Sequence, residues 1–328
     1  MNFQQMTRRS AVRTLACVAA AGAASGVLAQ TANNAITWVV PYAPGAATDA
    51  LARVLAEGMG QDLKRSVVVE NVGGAGTAIA AAQLARQTPD GSRIMTADIA
   101  TLAITPVANP KAGYDPLKSF THIGMIAHLP FVLVSNVQTG PKDLGEMLRI
   151  ARDQPGKLNY GSAGLGSPHH LAMELLMEKA QGQMVHIPFK GTGPAMTELL
   201  AGRIDVMFAT LGSVAAHVKS GTLRAIAVSS PARFTQLPQV PTVAEQGMAG
   251  YEAAAWQGVV APAGLAANIR DQFNASLQRV LASESTRRRM NEMGIEPITG
   301  TPQQFEQYAR QQFQLWSALI RSRGIKLD

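Results

Sequence analysis

The sequence predicts an α/β fold of two lobes, each an open, mostly parallel sheet covered by helices. Strand-like runs alternate with helix-like segments along the chain, which is the pattern of parallel strands joined by crossover helices. The same alternation starts again after the strongly apolar strand Phe131–Ser135. The length of 328 residues is too great for one small domain and suits two packed lobes.

The first lobe is predicted to open with a β-branched strand, Ile36–Val40, which is broken by the loop Pro41–Ala47. Thr48 is expected to cap a helix from Asp49 to Glu57, with Gly58 as its stop. The remaining elements of this part of the lobe are a strand at Val67–Glu70, a turn at Gly73–Gly76, a helix at Thr77–Arg86 and a strand at Arg93–Ala97.

The second lobe is predicted to repeat the alternation, with Pro near helix starts and Gly after helix ends. Its helices are expected at Pro141–Arg152, Ser167–Ala180, Thr192 to Gly202 and Ser213–Ser220, and its strands at Lys157–Tyr160, Gln183–Ile187, Ile204–Ala209 and Leu223–Ser229. The Pro- and Gly-rich stretch Gln236–Gly250 has little periodicity and is interpreted as the connection back to the first lobe.

The C-terminal third is predicted to complete the first lobe. It comprises a strand at Trp256–Val260 and helices at Ala266–Leu281, Glu284–Met293 and Thr301–Arg323, the last opening with a capping box. We therefore expect one lobe from residues 30–130 plus 255–328 and a second lobe from residues 131–254.

The first 29 residues have the composition of a signal peptide. Arg8 and Arg9 precede an Ala-rich apolar stretch, and small residues lead to an expected cut after Ala29. The paired arginines fit the twin-arginine route, and ordinary secretion stays open. Export predicts a periplasmic protein. The single cysteine, Cys17, lies in this leader, so the mature chain is expected to have no disulfide, Cys-based zinc site or Cys nucleophile.

The charge balance gives a weaker indication. The net charge of the whole chain is +7, and loss of Arg8, Arg9 and Arg13 with the leader leaves +4. A weak positive field attracts anionic solutes, although a modest excess of Lys and Arg can also be without functional meaning. The basic run Arg287–Arg289 lies in a polar helical stretch without interleaved aromatic residues, so no nucleic-acid partner is predicted.

Three loops combine a preceding strand, small residues and a polar helix start: Pro41–Asp49, Gly161–Pro168 and Lys190–Pro194. In an open parallel sheet such loops lie at the carboxyl ends of strands, where ligands bind. A helix start presents unpaired N–H groups and partial positive charge to an anion. A single loop of this kind is an ordinary connector, but one long Gly/Ala/Ser loop in each lobe favours a ligand in the cleft.

Patterns typical of catalysis are missing from the sequence. Gly164-Leu165-Gly166-Ser167 has the wrong spacing for a nucleophile elbow, and neither Gly-rich loop matches a dinucleotide or phosphate-binding motif. His170 and Glu174 share a helix face, but one such pair does not make a metal site. We therefore predict no catalytic residue, no cofactor, no metal and no enzymatic activity. A secreted α/β hydrolase acting in the same cleft is the alternative.

Several short segments together resemble the substrate-binding receptors of tripartite tricarboxylate transporters, the Bug-type periplasmic receptors. They occur in the family's order and cover nearly the whole mature chain: Pro41–Asp49, Val69–Asn71, Tyr160–Ser167, His186–Gly191, Gly202–Asp205 and Leu237–Thr242. The resemblance implies a type II periplasmic-binding-protein-like fold, with two α/β lobes joined by two crossovers and a ligand cleft between them. It also implies a carboxylate ligand held largely by backbone amides and hydroxyls, often with ordered waters.

Carried over residue by residue, the resemblance implies ligand contacts from both lobes and, as a weaker candidate, from Thr96–Thr101 after the third strand. The expected ligand-binding residues are Tyr42, Pro44, Gly45, Ala46, Ala47, Thr48, Asp49, Ala97, Ser162, Ala163, Gly164, Ser167, His170 and Asp205. The family usually has Gly where this chain has Ala46 and Ala47, and two added methyl groups narrow the pocket or restrict positive φ. This difference bears on which carboxylate is bound.

The resemblance implies capture of a small carboxylate solute for a transporter of the tripartite type. Dicarboxylates, tricarboxylates, acidic amino acids and aromatic acids are the ligand classes considered. The expected protein partners are membrane permease subunits, or a membrane sensor if the chain is a sensory receptor instead, and a monomer is expected.

Overall fold

The computed structural model describes residues 35–325, with the exception of Ala46 and Pro110. These residues form an α/β architecture, which confirms the predicted fold class. The predicted leader, residues 1–29, lies outside the described residues. Among the residues described, no helix is both long enough and apolar enough to cross a membrane.

The strands of the described chain are numbered in chain order. They are β1 Ile36–Val40, β2 Val67–Asn71, β3 Arg93–Asp98, β4 Phe120–Asn136, β5 Asn159–Ser162, β6 Val185–Pro188, β7 Val206–Thr210, β8 Leu223–Val228, β9 Ala254–Pro262 and β10 Glu296–Pro297.

The α-helices are numbered in the same way. They are α1 Ala47–Leu63, α2 Ala78–Leu84, α3 Thr105–Ala108, α4 Leu144–Asp153, α5 Pro168–Ala180, α6 Thr192–Leu200, α7 Leu211–Lys219, α8 Ala267–Ala282, α9 Glu284–Glu292 and α10 Pro302–Ser322. A single 3₁₀ turn precedes α2, and a π-helical turn, Ala100–Ile104, precedes α3.

The strands form two groups that share β4. In the first group the order is β2-β1-β3-β9-β4, with β10 paired to the same part of β4. In the second group the remainder of β4 lies between β8 and β7, and β5 and β6 follow β7. The two groups meet near Pro130, because β9 pairs with β4 up to Pro130 and β7 pairs with it from Phe131.

Strand direction decides which loops come together. β1 and β3 run in the direction of β4, since β3 is antiparallel to β9 and β9 is antiparallel to β4. β5 and β7 run opposite to β4. The carboxyl ends of the parallel strands in both groups therefore point toward the crossover at Pro130, where the second group begins.

The apolar cores continue across the crossover. One cluster of buried side chains joins Met95 and Trp256 of the first group to Phe131 and Tyr160 of the second. Trp316 of α10 belongs to the same cluster. Separate clusters lie under α1 and α8 in the first group and under α6 in the second. The burial of these apolar side chains holds the helices on the sheets.

Helix α1 extends beyond its predicted end. The prediction that Gly58 stops this helix is wrong, because α1 continues through Gly58 to Leu63. A Cβ added at Gly58 would lie 2.6 Å from Cγ1 of Val280 on α8. Gly58 therefore serves the close approach of two helices, which is a second reason for a glycine within a helical pattern.

Strand β4 was predicted only in part. The expected strand Phe131–Ser135 is the second half of a strand that begins at Phe120. The first half contains Gly124 and Pro130, and its pairing with β9 is interrupted by register shifts. These residues are poor strand formers by themselves, so the long ladder with β9 overrides local propensity.

Other expected elements lie within a few residues of the observed ones. The predicted capping box of the last helix is confirmed: Thr301 Oγ1 accepts from the Gln304 amide, and Gln304 Oε1 accepts from the Thr301 amide. The stretch 236–250 contains turns rather than a free linker, and Leu237 and Val240 pack into the core of the second strand group. The predicted division at residues 130 and 254 stays a prediction.

Candidate functional site

The strands β3 and β7, which are the parallel neighbours of β1 and β5, end near the crossover between the two strand groups. Asp98 at the end of β3 is paired with Gln257, which is paired in turn with Ala127 of β4. On the other side Thr210 at the end of β7 is paired with Phe131. The chain therefore brings the strand-end loops of both groups to the two sides of one boundary, as the direction of the strands requires.

The loop after β1 is organised by one carboxylate. Asp49 has a side chain 5% exposed. Its Oδ2 accepts from the Gly45 amide at 2.9 Å, and its Oδ1 accepts from Asn71 Nδ2 at 3.0 Å. Arg53 Nη2 forms an ion pair with Oδ1 at 2.9 Å. The Arg53 hydrogen bond and the Gly45 amide lower the pKa of Asp49 to about 2.

The prediction that Thr48 caps the first helix is wrong. The helix begins at Ala47, so Thr48 lies inside its first turn. Its hydroxyl accepts from Nε2 of Gln257 at 2.8 Å, which ties the helix start to β9. Asp49 lies in the first turn and reaches back to accept the Gly45 amide, in the manner of the acidic residue of a capping box.

The same loop presents small residues to solvent. Pro44, Gly45 and Ala47 are exposed, whereas Tyr42 is half-buried. Ala46 lies outside the described residues. Gly45 has a φ of +86°, which favours glycine at this position. An exposed loop of small residues at a helix start leaves backbone groups accessible to an anionic ligand.

Asp98 lies in the weaker candidate segment Thr96–Thr101, next to the expected ligand-binding residue Ala97. The side chain of Ala97 is fully buried in the core. Asp98 accepts a hydrogen bond from the Tyr42 hydroxyl and, at 2.9 Å, from the Thr101 amide. Burial raises the pKa of Asp98. Asp98 therefore fixes Tyr42 at the start of the first loop.

The loop after β5 is built around Ser162 and His170. The Ser162 hydroxyl accepts from the Gly164 amide at 3.1 Å and lies 2.7 Å from Nε2 of His186. Nδ1 of His170 accepts from the Gly166 amide at 3.1 Å. Ser162 is fully buried and His170 is 3% exposed, so both side chains shape the loop from within.

The outer part of this loop carries the remaining predicted residues. Ala163, Gly164 and Ser167 are partly exposed. Ser167 caps α5, since its hydroxyl accepts from the His170 amide. Gly164 has a φ of +132°, a conformation that L side chains rarely adopt. The loop thus combines a helix start with a turn that depends on glycine.

Three aromatic rings support the second loop. His170 and His186 are stacked with centroids 3.9 Å apart, and Tyr160 stacks on His186 at 4.9 Å. Burial lowers the pKa of both histidines, that of His186 to about 4, with the proximity of His170 a further cause for His186. The imidazoles are therefore neutral near pH 7 and act as hydrogen-bonding groups rather than as cations.

His186 and Tyr160 were not chosen from the sequence. Both occur in the segments that carry the family resemblance, but His186 has no metal-ligand spacing to other histidines. His169 and His170 are adjacent in α5 and point to different sides of the helix, because His169 packs on Phe131 and His170 on His186.

Asp205 is not brought together with the other candidates. It lies just before β7, at the opposite end of that strand from Thr210 and the crossover. Its Oδ2 accepts from the Asn159 amide at 2.8 Å, and its own amide donates to Oδ1 of Asn159. Asp205 therefore ties together the starts of β5 and β7.

The two loops offer polar neutral groups and no free cation of their own. Arg53, the nearest Arg in the first loop's helix, is committed to Asp49 and Asn71. Within residues 35–325, Ala46 and Pro110 aside, no cluster of three His, Cys, Asp or Glu side chains has the form of a metal site. Such an arrangement suits the binding of a small anion by oriented amides and hydroxyls.

Comparisons with sequence families and with solved structures indicate the same protein family. The sequence model described as "Tripartite tricarboxylate transporter family receptor" matches residues 51–325. The periplasmic binding protein BugD is 33% identical, with a TM-score of 0.71 over 89% of this chain and 98% of BugD.

Two similar solved structures are complexes with a carboxylate. Rpa4515 of R. palustris with adipate is 30% identical, with a TM-score of 0.74 over 88% of this chain and 97% of the other. MatC of Rhodopseudomonas palustris with bound malate is 29% identical, with a TM-score of 0.71 over 87% of this chain and 98% of the other. These similarities confirm the expected periplasmic-binding-protein fold.

Proposed function

The chain belongs to the tripartite tricarboxylate transporter receptor family, and from that premise we propose that it is a periplasmic, non-catalytic receptor that closes on a small carboxylate. Membership makes it a solute-binding receptor of the Bug type. We propose in addition where the ligand binds, that it is a carboxylate, and that the protein does not convert it.

One observation carries the assignment of the site. The strand-end loops of two sheet groups face a single crossover, and each loop leads into a helix start, α1 on one side and α5 on the other. Two helix starts directed at one boundary supply N–H donors and partial positive charge from both sides. This arrangement favours a ligand whose negative group is enclosed when the lobes approach each other.

The nature of the donors supports a carboxylate held without an ion pair. Arg53 of α1 forms an ion pair with Asp49, and neither loop contains a Lys or Arg. Hydrogen bonds to a charged group contribute about 1.5–3 kcal/mol each. An enclosed site of this kind depends less on bulk salt than an exposed ion pair does.

Relatives define the ligand classes to test. Adipate and malate, named with the two similar structures, are both dicarboxylates. Ala46 and Ala47 alter the first loop relative to the family pattern, so tricarboxylates, acidic amino acids and aromatic acids belong in the same panel. We propose membrane permease subunits of a tripartite transporter as partners, and a monomer that is exported and cleaved after Ala29.

A thermal-shift panel tests the proposed function. A carboxylate that binds only the folded state raises the melting temperature by mass action, and the rise should grow with concentration. We expect at least one acid among malate, adipate, citrate, aspartate and benzoate to do so. NMR of the strongest stabiliser after incubation with the protein should show no product. Catalytic conversion would show that the protein is an enzyme. A panel in which no acid raises the melting temperature would argue against a carboxylate ligand.

The hydrolase alternative has one observation in its favour, the contact of Ser162 with His186. A serine beside an imidazole resembles an activated nucleophile. However, Ser162 is fully buried and its hydroxyl is already engaged with Gly164. The carboxylate of Glu174 is bound to Tyr160 and Arg323 rather than to His186. We therefore expect no hydrolysis of p-nitrophenyl acetate above that of a Ser162→Ala variant.

A further inference from the structure

A chain of polar contacts leads from the end of α10 toward the second loop. Arg323, the residue after this helix, donates from Nε to Oε2 of Glu174 at 2.7 Å. The other carboxylate oxygen of Glu174 accepts from the Tyr160 hydroxyl at 2.6 Å. The Glu174 side chain is only 12% exposed, so these are the bonds of a largely buried carboxylate.

The chain continues from the ring of Tyr160 into the loop. Tyr160 stacks on His186 with an angle of 21° between the rings. Nε2 of His186 lies 2.7 Å from the Ser162 hydroxyl. Ser162 in turn holds both the amide and the carbonyl of Gly164, at 3.1 and 3.0 Å. The loop conformation therefore depends on where the ring of Tyr160 is held.

Arg323 reaches this chain from the other strand group. At its start, α10 packs on β9: the ring of Phe305 lies 6.1 Å from that of Trp256, and Tyr308 lies 5.5 Å from it. A helix of 21 residues is about 32 Å long, long enough to pass the crossover. At its end, Ser322 donates to Glu178 beside the Arg323–Glu174 pair.

We infer that Arg323 is a positioning residue for ligand binding: it holds Glu174 and Tyr160 so that His186 and Ser162 keep the second loop in its binding conformation. The inference rests on the proposed function, since it takes the loop after β5 to bind the carboxylate. Among the described residues, Arg323 forms its hydrogen bond and ion pair with Glu174 and none with that loop. Its effect on affinity is transmitted through the buried carboxylate.

The physical reason is the cost of an unpaired buried charge. Without Arg323, the Glu174 carboxylate must turn toward water, and the Tyr160 hydroxyl loses a fixed acceptor. A surface groove of about 460 Å³ is lined by Glu174 and Arg323, so water can reach the carboxylate in such a variant. We therefore expect Arg323→Gln to fold while its second loop becomes less ordered.

The experiment compares Arg323→Gln, Arg323→Lys and Tyr160→Phe with the wild type. Arg321→Gln is the matched control, because Arg321 is exposed in the same last turn and forms no ion pair among the described residues. Calorimetry with malate and with adipate should show about fivefold weaker binding for Arg323→Gln and for Tyr160→Phe. Their double variant should lose less than the sum, and Arg323→Lys should recover most of the affinity.

Hydrogen exchange in the unliganded protein separates this inference from the proposed function. The Gly164 and Gly166 amides are bound within the loop. Their exchange should be faster in Arg323→Gln and unchanged in Arg321→Gln. If the wild type binds neither malate nor adipate, the choice of these ligands fails, and the exchange rates still decide whether Arg323 orders the loop.

A titration adds a readout that general destabilisation would not give. Burial and His170 lower the pKa of His186, whereas the charge of Glu174 raises it. When Glu174 turns toward water in Arg323→Gln, this raising effect weakens, so the pKa of His186 should fall, and it should also fall in Glu174→Gln. Wild-type affinity, wild-type amide exchange and an unmoved His186 titration in Arg323→Gln would overturn the inference.

Discussion

The carboxylate of Asp49 is bound by a backbone amide, an amide side chain and a guanidinium, and it lies beneath the exposed loop that we propose as half of the site. It acts on the ligand by fixing the loop. Asp62 provides a natural comparison, because the hydrogen bonds of Arg279 also lower its pKa, to about 2. Asp62 lies near the end of α1, away from the loop.

Asp49→Asn is expected to lower both stability and affinity. The folded pKa of Asp49 is below its ordinary value of 3.8, so its stabilisation is fully present above about pH 4 and is lost as the pH falls toward 2. At pH 7 the variant should lose about 1–3 kcal/mol in urea unfolding. The difference from the wild type should shrink at pH 2.5.

Asp62→Asn is the control for this prediction. It should also be less stable at pH 7, but its affinity for malate or adipate should equal that of the wild type. Equal loss of affinity in both variants would mean that Asp49 acts only through overall stability.

At the scale of single residues, the sequence located the first loop but not the roles within it. Thr48 and Asp49 were both chosen, because a polar pair at a helix start is a visible pattern. Thr48 binds Gln257, which lies 209 residues away in the chain. The sheet brings these two residues together, and nothing in the local sequence around Thr48 indicates the contact. Asp205 was carried over from the family resemblance, and the strand pairing shows that it lies at the end of β7 away from the crossover.

At the scale of elements, the loop after β5 depends on the backbone of Gly164. Its φ of +132° is unfavourable for L side chains, and an added Cβ would lie 3.3 Å from the Phe189 carbonyl oxygen. The next residues, Leu165 to Ser167, lead directly into α5. A change at Gly164 should therefore move the helix start relative to the ligand.

We expect Gly164→Ala to weaken carboxylate binding about tenfold, since a left-handed backbone costs about 1–2 kcal/mol with a side chain. Gly164→Glu should be worse, because it adds negative charge at the proposed site. Gly221 is also at positive φ but has open space where a Cβ would lie. Gly221→Ala should therefore lower the free energy of unfolding and leave the affinity for the carboxylate unchanged. Calorimetry of the three folded variants decides the matter, and wild-type affinity in Gly164→Glu would remove this loop from the site.

Elements with strong local signals were predicted well. The capping box of α10 and the Ser167-Pro168 start of α5 are encoded within four residues, and both are confirmed. The first half of β4 was missed because its stability comes from pairing with β9, more than a hundred residues later. Gly58 was misread because its reason, the approach of Val280, is tertiary.

At the scale of the whole molecule, the chain crosses between strand groups at Pro130 and returns before β9, and α10 packs against both sides. Two crossovers permit hinge motion, whereas α10 limits it. The repeated strand-helix pattern predicted the two groups. The bridging role of α10 could not be read from the sequence, because Arg323 and Glu174 are 149 residues apart.

Ligand binding is expected to compact the molecule. Small-angle scattering with a saturating carboxylate should give a smaller radius of gyration than without it, because closure encloses the ligand between the lobes. The same acid added to Gly164→Glu should leave the scattering unchanged. An identical curve for free and saturated wild type would argue against closure while leaving binding itself intact.

A crystal structure with the carboxylate that stabilises the protein most would locate the ligand directly. We expect one carboxylate group of that acid to lie between the loops 42–49 and 162–167, bound by amides and hydroxyls, with no Lys or Arg side chain as its main partner. A different cavity, of about 620 Å³, is lined by Arg279 and Arg289 between α1, α8 and α9. Density for the acid in that cavity, with the two loops empty, would show that the proposed binding site is wrong.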